Sequence, residues 1–452
     1  MTNEEINSRA RELIAIIKRR FLRPDGLMAR AYPPGKRTIF DNFDDVVPFF
    51  AHFGELDFLL GQVHIIAKNG DSMFTLLPTG GVMRAREMDE WLGGLYAVYR
   101  ATGDKVCYRL LHESLDFVIN KMMDGGFLSA AYLIPNKKAV RYYEPWSAGI
   151  LEVLCEMRGD FPKAFEQAQA VLRGWVGDDY FKAHGLFPYL MHESTLKKGL
   201  QKLVFHKNRP VTIYQTEPVF EKGRGAKALA VYAIERYRFE TASCWYSFLM
   251  KSNSTAAFAL LEFYQATGAG EWLAALDSWI TSATANFVKD GDVYMEWHPK
   301  SGLIKDPTVT PAFILADLIC DSVAAHKDFA RFMPVVKSVL DRQMERRLAN
   351  GLIPYKEDGS PAHMDSQVDF SISLRRYAEL SGDETYATAS TTLVETAIRE
   401  YYTPEGYRTY THGPNRDHID PKYNALFLKG MINLLTKGQP IYPKLRDIFK
   451  DR

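Results

Sequence analysis

The feature that most constrains this chain is a pattern that returns about seven times along it. A helix-length amphipathic stretch ends at a Gly, a short segment rich in aromatic and apolar residues follows, and a second helix-length stretch begins. Copies of the short segment are PDGLMARAY (24–32), NGDSMFTLL (69–77), DGGFLSAAY (124–132), HGLFPYL (184–190), DGDVYMEWH (290–298), NGLIPYKED (350–358) and EGYRTYTH (405–412). Gly suits these stops because it takes the left-handed conformation that ends a helix. Further stops close the helices that follow, in YRATGD (99–104), CEMRGD (155–160), YQATGA (264–269) and AELSGD (378–383).

The two helices of each unit differ in composition. One set, expected near 43–55, 87–102, 144–158, 243–267, 309–324, 365–381 and 420–436, is apolar on most faces, as in EWLGGLYAVYRAT and STAAFALLEFYQAT. The other alternates apolar stripes with charge, as in ARFMPVVKSVLDRQMERR. A helix apolar all round is buried, and a striped one keeps a wet face. The pattern predicts an all-α protein, one domain over 1–452, with inner and outer helical layers closed into a ring of six or seven hairpins. An open solenoid is the competing arrangement, with the helices at 3–21 and 440–451 as its caps.

Composition is that of an ordinary globular chain. The 452 residues are 46% hydrophobic and 25% charged with net charge +1, which argues against a general nucleic-acid binder. No stretch approaches the roughly 18 consecutive apolar residues of a membrane span, and the start MTNEEINSRAREL lacks the pattern of a secretory signal. Cys107, Cys155, Cys244 and Cys320 are far apart, so buried thiols in a reducing, cytoplasmic setting are expected. His192–Glu193 and His412…His418 lack zinc spacing, and no Walker, Rossmann or GxSxG motif occurs, so neither metal nor cofactor is expected.

Residues 177–241 interrupt the repeat. Stretches such as LVFH and VTIYQTEPVF read as a β-hairpin insertion, and positions 195–238 carry ten Lys and Arg against three Glu. Such a segment is either a solvated insert, one that docks on a second subunit of a homo-oligomer, or a lid over the ring mouth that attracts an anionic ligand.

The helix endings YRATGD and YQATGA, with the Gly-aromatic turns before the inner helices, resemble the α/α-toroid proteins of sugar chemistry. Those include six- and seven-hairpin glycosidases, N-acylglucosamine and cellobiose 2-epimerases, uronate C5-epimerases and toroidal polysaccharide lyases. No catalytic motif of one such family is intact in this chain. The lanthionine cyclases share a toroid but depend on a Cys/Cys/His zinc site that is missing here, and FDNFDD (40–45) does not match the DxDD of toroidal terpene cyclases. The resemblance implies a small saccharide or oligosaccharide as partner, with an anionic one suggested by the basic insertion.

In a ring of this kind the N-termini of the inner helices converge on one funnel. That gathers Asp44 and Asp45; Arg86 and Glu87; Arg141, Tyr143, Glu144 and Trp146; Trp297 and His298; His363, Asp365 and Asp369; His418 and Tyr423. Aromatic faces stack on sugars, and carboxyls bind hydroxyls and transfer protons. Acids at helix N-termini are also ordinary caps, and a purely structural ion-pair network is an equal reading. MDSQVDF is the sharpest signal, because Asp365 and Asp369 share one helix face. For glycoside hydrolysis the expected acid is Glu144 or Glu87 and the expected base Asp365 or Asp369, with Tyr143, Trp146 and Trp297 stacking and Arg86 and Arg141 orienting. Epimerase or lyase chemistry would instead call on His298, His363, His418 or Tyr423. A non-enzymatic scaffold would leave the acids as satisfied caps without a deep pocket.

Overall fold

A computed structural model describes residues 1–78, 81–124, 126–135, 137–140, 142–188, 191–192, 248–299, 302–356 and 359–436. The chain opens with α1 (Asn3–Arg20), started by a capping box between Thr2 and Glu5. There follow α2 (Phe43–His52), α3 (Leu56–Asn69), the short α4 (Met73–Leu76), α5 (Ala85–Thr102) and α6 (Lys105–Phe117). Next come α7 (Ala148–Glu156), α8 (Pro162–Val176) and α9 (Asp179–His184). After residue 247 the described helices are α10 (Met250–Thr267), α11 (Gly270–Phe287), α12 (Val309–Ala325) and α13 (Met333–Glu345). The last three are α14 (Met364–Ser381), α15 (Glu384–Tyr401) and α16 (Pro421–Leu435).

The inner layer is α2, α5, α7, α10, α12, α14 and α16. Each packs on the next, and α16 packs on α2, which closes the ring. Outer helices α3, α6, α8, α11, α13 and α15 each lie against the inner helix they follow, and α1 lies against α16. The chain's beginning therefore meets the last hairpin: the Met1 ammonium is 2.5 Å from Glu395, and the Tyr402 hydroxyl donates to Glu12 at 2.8 Å. This is an α/α toroid with short antiparallel strands in its loops, and one continuous apolar cluster runs from Ile6 to Leu434. Gly103 and Gly268 end α5 and α10 at φ of 68° and 67°, as the stop signals predict.

One sequence expectation changes in detail, and two fall wholly or largely outside the described residues. NGDSMFTLL is not extended throughout, because Ser72 caps a helical turn at Met73–Leu76. Of the expected insertion at 177–241, Asp179–His184 is helical, and residues 193–247 lie outside the described residues. The helix expected at 440–451 also lies outside them. No described helix is long and apolar enough to cross a membrane, and Cys107, Cys155 and Cys320 are buried.

Two local devices hold the layers together. The first is Gly93–Gly94 in α5. A methyl group on Gly94 would stand 2.4 Å from the Phe43 ring, and one on Gly93 would meet Asp44, so this pair lets α2 approach α5. The second recurs around the ring. A buried amide side chain accepts from the N–H and donates to the C=O of one residue in the preceding extended segment. Asn253 holds Phe187, Gln367 holds Ile353, and Asn424 holds Tyr407, with distances of 2.6–2.9 Å. In each case the amide is the fourth residue of an inner helix, in MKSN, MDSQ and PKYN. Gln62 of α3 makes the analogous pair to the Met28 N–H and the Gly26 C=O.

Asn424→Leu removes both bonds and strands a buried peptide N–H and C=O. It should cost about 2–4 kcal/mol in urea unfolding. Gly94→Ala should cost about 1–3 kcal/mol through overpacking. Unchanged midpoints for both variants would show that neither device holds the ring.

Candidate functional site

The N-terminal ends of the inner helices open into one cavity of about 940 Å³. Its walls carry Asp45 from α2, Arg86, Glu87 and Glu90 from α5, Trp146 before α7 and Lys251 from α10. They continue with Phe313 from α12, His363, Asp365 and Asp369 from or beside α14, and Lys422, Tyr423 and Lys429 from α16. Arg30, Arg37 and Tyr410 come from loops. The polar side chains keep some accessible surface because it faces this cavity, while the surrounding helices exclude most bulk water.

Two groups of charge interleave inside. In the first, carboxyl oxygens of Asp44, Asp45 and Glu90 lie within 4.8 Å of one another. Burial pushes the Asp44 carboxyl up to about 7 against a hydrogen bond from Glu90, and burial with the Asp44 charge lifts Glu90 well above the carboxylate range. Two carboxyls at this distance hold a proton between them. Lys422 stands 3.6 Å from Asp45. Burial works against the Lys422 charge, but Asp45 and Glu90 outweigh it and hold the ammonium above its ordinary value. Among the described residues this trio is where a metal ion could be held; the shared proton and Lys422 offset two of its three charges.

The second group lies on α14. Asp365 and Asp369 are one turn apart and both face the cavity. Lys429 Nζ donates to Asp369 Oδ1 at 2.9 Å. Among the described residues Asp365 has no such partner: burial, reinforced by the Asp369 charge, pushes its carboxyl up to about 7 against the pull of Lys422 and Lys429. Two carboxyls on one helix face thus occupy different electrostatic environments.

A third region centres on Trp146. The Arg86 guanidinium lies 4.4 Å and the Lys251 ammonium 4.7 Å from its ring centroid. Glu87 sits close by, paired with Arg84 at 3.3 Å and raised by burial. His363 begins α14 with its ring edge-on to Tyr423 and Tyr410, at 4.6 and 5.0 Å between centroids. Burial pushes its imidazole down to about 4, so it is neutral at pH 7.

The remaining expected residues are placed as follows. Asp44 packs behind Asp45, against Gly93. Glu144 is buried in the wall rather than lining the cavity, and burial raises its carboxyl against Arg86 and Arg84. Trp297 packs on Phe248 and His184, at 5.4 and 6.1 Å, away from the cavity lining. His418 is exposed and its Nδ1 is 3.2 Å from the Thr409 hydroxyl. His298 is in a strand paired with Gly302 and Tyr143 in one paired with Met191; the side chains of both, and Arg141 altogether, lie outside the described residues.

Sequence reasoning missed Glu90 and Lys429. Both lie a turn or more inside their helices, beyond the first-turn positions it searched. The available signal was periodicity: Glu90 follows Glu87 by three residues, and Lys429 follows Lys422 by seven on an otherwise apolar helix.

No protein-family model matches this chain, and no curated protein matches it in sequence. Solved structures do match in fold. A sugar epimerase from a ruminal bacterium aligns over 98% of this chain and 100% of its own at 10% identity, with a TM-score of 0.59. D-mannose isomerase aligns over 96% and 98% at 10% identity, with a TM-score of 0.58. Unsaturated glucuronyl hydrolase from Streptococcus agalactiae aligns over 86% and 92% at 13% identity, with a TM-score of 0.53. The chain shares the α/α-toroid fold of these enzymes.

The raised carboxyl of Asp365 carries a signed consequence for stability. The folded protein binds its proton more tightly than the unfolded chain, so stability is lost as pH rises from about 4 towards 7. Asp365→Asn should therefore melt higher than the parent at pH 8, with the gap closing near pH 4. A pH-independent gap, or a variant less stable at pH 8, would contradict this electrostatic assignment.

Proposed function

We propose that this protein is a glycoside hydrolase that acts on a saccharide held in the ring cavity. The observation that carries this reading is the pair Asp365 and Asp369, two carboxyls on one helix face whose surroundings differ. Pairs of this kind divide acid and base work between them. Asp365, protonated near neutral pH, donates its proton to the glycosidic oxygen as the C–O bond breaks. Lys429 binds Asp369 Oδ1 and leaves Oδ2 to orient a water, whose oxygen bonds to the anomeric carbon while its proton passes to the carboxylate. The balance is one water added across one glycosidic bond. Phe313, Tyr410 and Tyr423 supply apolar surface for sugar faces.

A second reading, sugar epimerisation, is favoured by His363, a neutral imidazole at the cavity wall between two tyrosines. Its low affinity for protons makes it a weak base for removing hydrogen from carbon, which places this reading second.

The test is hydrolysis of a panel of oligosaccharides and aryl glycosides. The parent should release sugar with activity falling above pH 7 as Asp365 deprotonates. Asp365→Asn should lose about 10²–10⁴-fold in kcat/KM on unactivated glycosides and much less where the leaving group needs no proton. Full activity in that variant contradicts the assignment. Deuterium incorporation at carbon from D2O, without bond cleavage, would support epimerisation, and neither reaction would leave a binding module.

A further inference from the structure

The cavity contains a cation that the hydrolytic pair does not use. Lys251, in the first turn of α10, has its side chain accessible within the cavity, beside Trp146. Among the described residues its ammonium makes no hydrogen bond or ion pair, whereas Lys429 binds Asp369 and Lys422 stands against Asp45. Arg86 shares the Trp146 ring, so the two cations are no more than about 9 Å apart. An anion seated beside this ring can accept a charge-assisted hydrogen bond from Lys251, and the Arg86 charge adds its attraction.

We propose that Lys251 and Arg86, set around Trp146, form a subsite for a single negative charge carried by the saccharide, a uronate carboxylate or a sulfate monoester. This deepens the hydrolase reading and rests on the cavity being the saccharide site. Asp45 and Asp369 each have an ammonium of their own, Lys422 and Lys429, which leaves the Lys251 charge to an incoming anion. The Lys251 charge, without an ion pair among the described residues, is also costly: burial, with Lys422 and Arg86 as like charges, lowers its ammonium against the attraction of Asp365 and Glu90. A bound anion removes that cost, so binding draws a proton to Lys251 and weakens as pH rises through the lowered value.

The experiment measures binding to the full chain by calorimetry or ligand-observed NMR, using glucuronic acid, glucose 6-sulfate and glucose. The parent should bind at least one charged sugar about tenfold or more tightly than glucose, and added NaCl should erode that preference. Lys251→Met should lose the preference while binding glucose as the parent does. The carboxylate and sulfate arms identify which anion the subsite accepts. Equal binding of all three sugars, failure to bind either charged sugar, or an unchanged preference in Lys251→Met would overturn the proposal. The salt dependence in the parent decides the matter if the variant does not fold. Binding on Asp365→Asn separates the two claims: a charge preference there, without hydrolysis of any glycoside by the parent, leaves the subsite standing and removes the hydrolase reading.

Discussion

The ring depends on buried amide side chains that grip single peptide groups. Asn253 and Gln367 each satisfy the N–H and C=O of a residue in an extended segment that no described sheet pairs at that point, and Asn424 does the same for Tyr407 in a two-residue hairpin strand. An extended backbone inside a helical protein would otherwise bury unpaired polar groups, at a cost near that of a lost hydrogen bond for each. The clamp solves this locally, with one side chain for two backbone groups. It also fixes where the segment runs relative to the first turn of its inner helix. That first turn delivers Lys251, Asp365 and Lys422 to the cavity. The same positions that stabilise the loops therefore aim the polar residues at the centre of the ring.

The cavity they form is a low-dielectric enclosure filled with opposite charges, and its chemistry follows from imperfect pairing. Where an ammonium reaches a carboxylate, as Lys429 reaches Asp369, the pair is satisfied. Where none does, burial dominates and the proton stays, as on Asp365 and in the shared proton of Asp44 and Glu90. Lys251 is the complementary case, a cation that makes no ion pair among the described residues. A structural ion-pair network would be expected to close each of these pairs. The residual mismatch is what suits the cavity to a polar ligand.

Much of this was legible in the sequence, for a physical reason. Gly stops and helical periodicity are local signals, so the inner helices fall within a few residues of their expected positions except α10, which starts at Met250 rather than 243, and Asp365 and Asp369 share the face their spacing implies. What depends on contacts between distant segments was not legible. Trp297 reads as a sugar platform, yet it packs beside Phe248 and His184 and is not among the residues lining the cavity. Asn253, Gln367 and Asn424 sit in first turns beside the cavity, and only the fold shows that they are committed to peptide groups. Glu144 heads its helix as expected and is nonetheless sealed in the wall. Met73–Leu76 is helical because Ser72 and Thr75 cap each other, a pairing that hydrophobic pattern does not reveal.

The central claim is that α14 presents one protonated and one ion-paired carboxyl to the cavity. It is tested most directly by following the side-chain carboxyl carbons of aspartate by NMR through a pH titration, in the parent and in Asp365→Asn. The account predicts a resonance titrating at about 7 that is present in the parent and missing from the variant. A variant spectrum that retains every resonance titrating near neutrality, with the missing aspartate being one that ionises at the ordinary value of about 4, would contradict it.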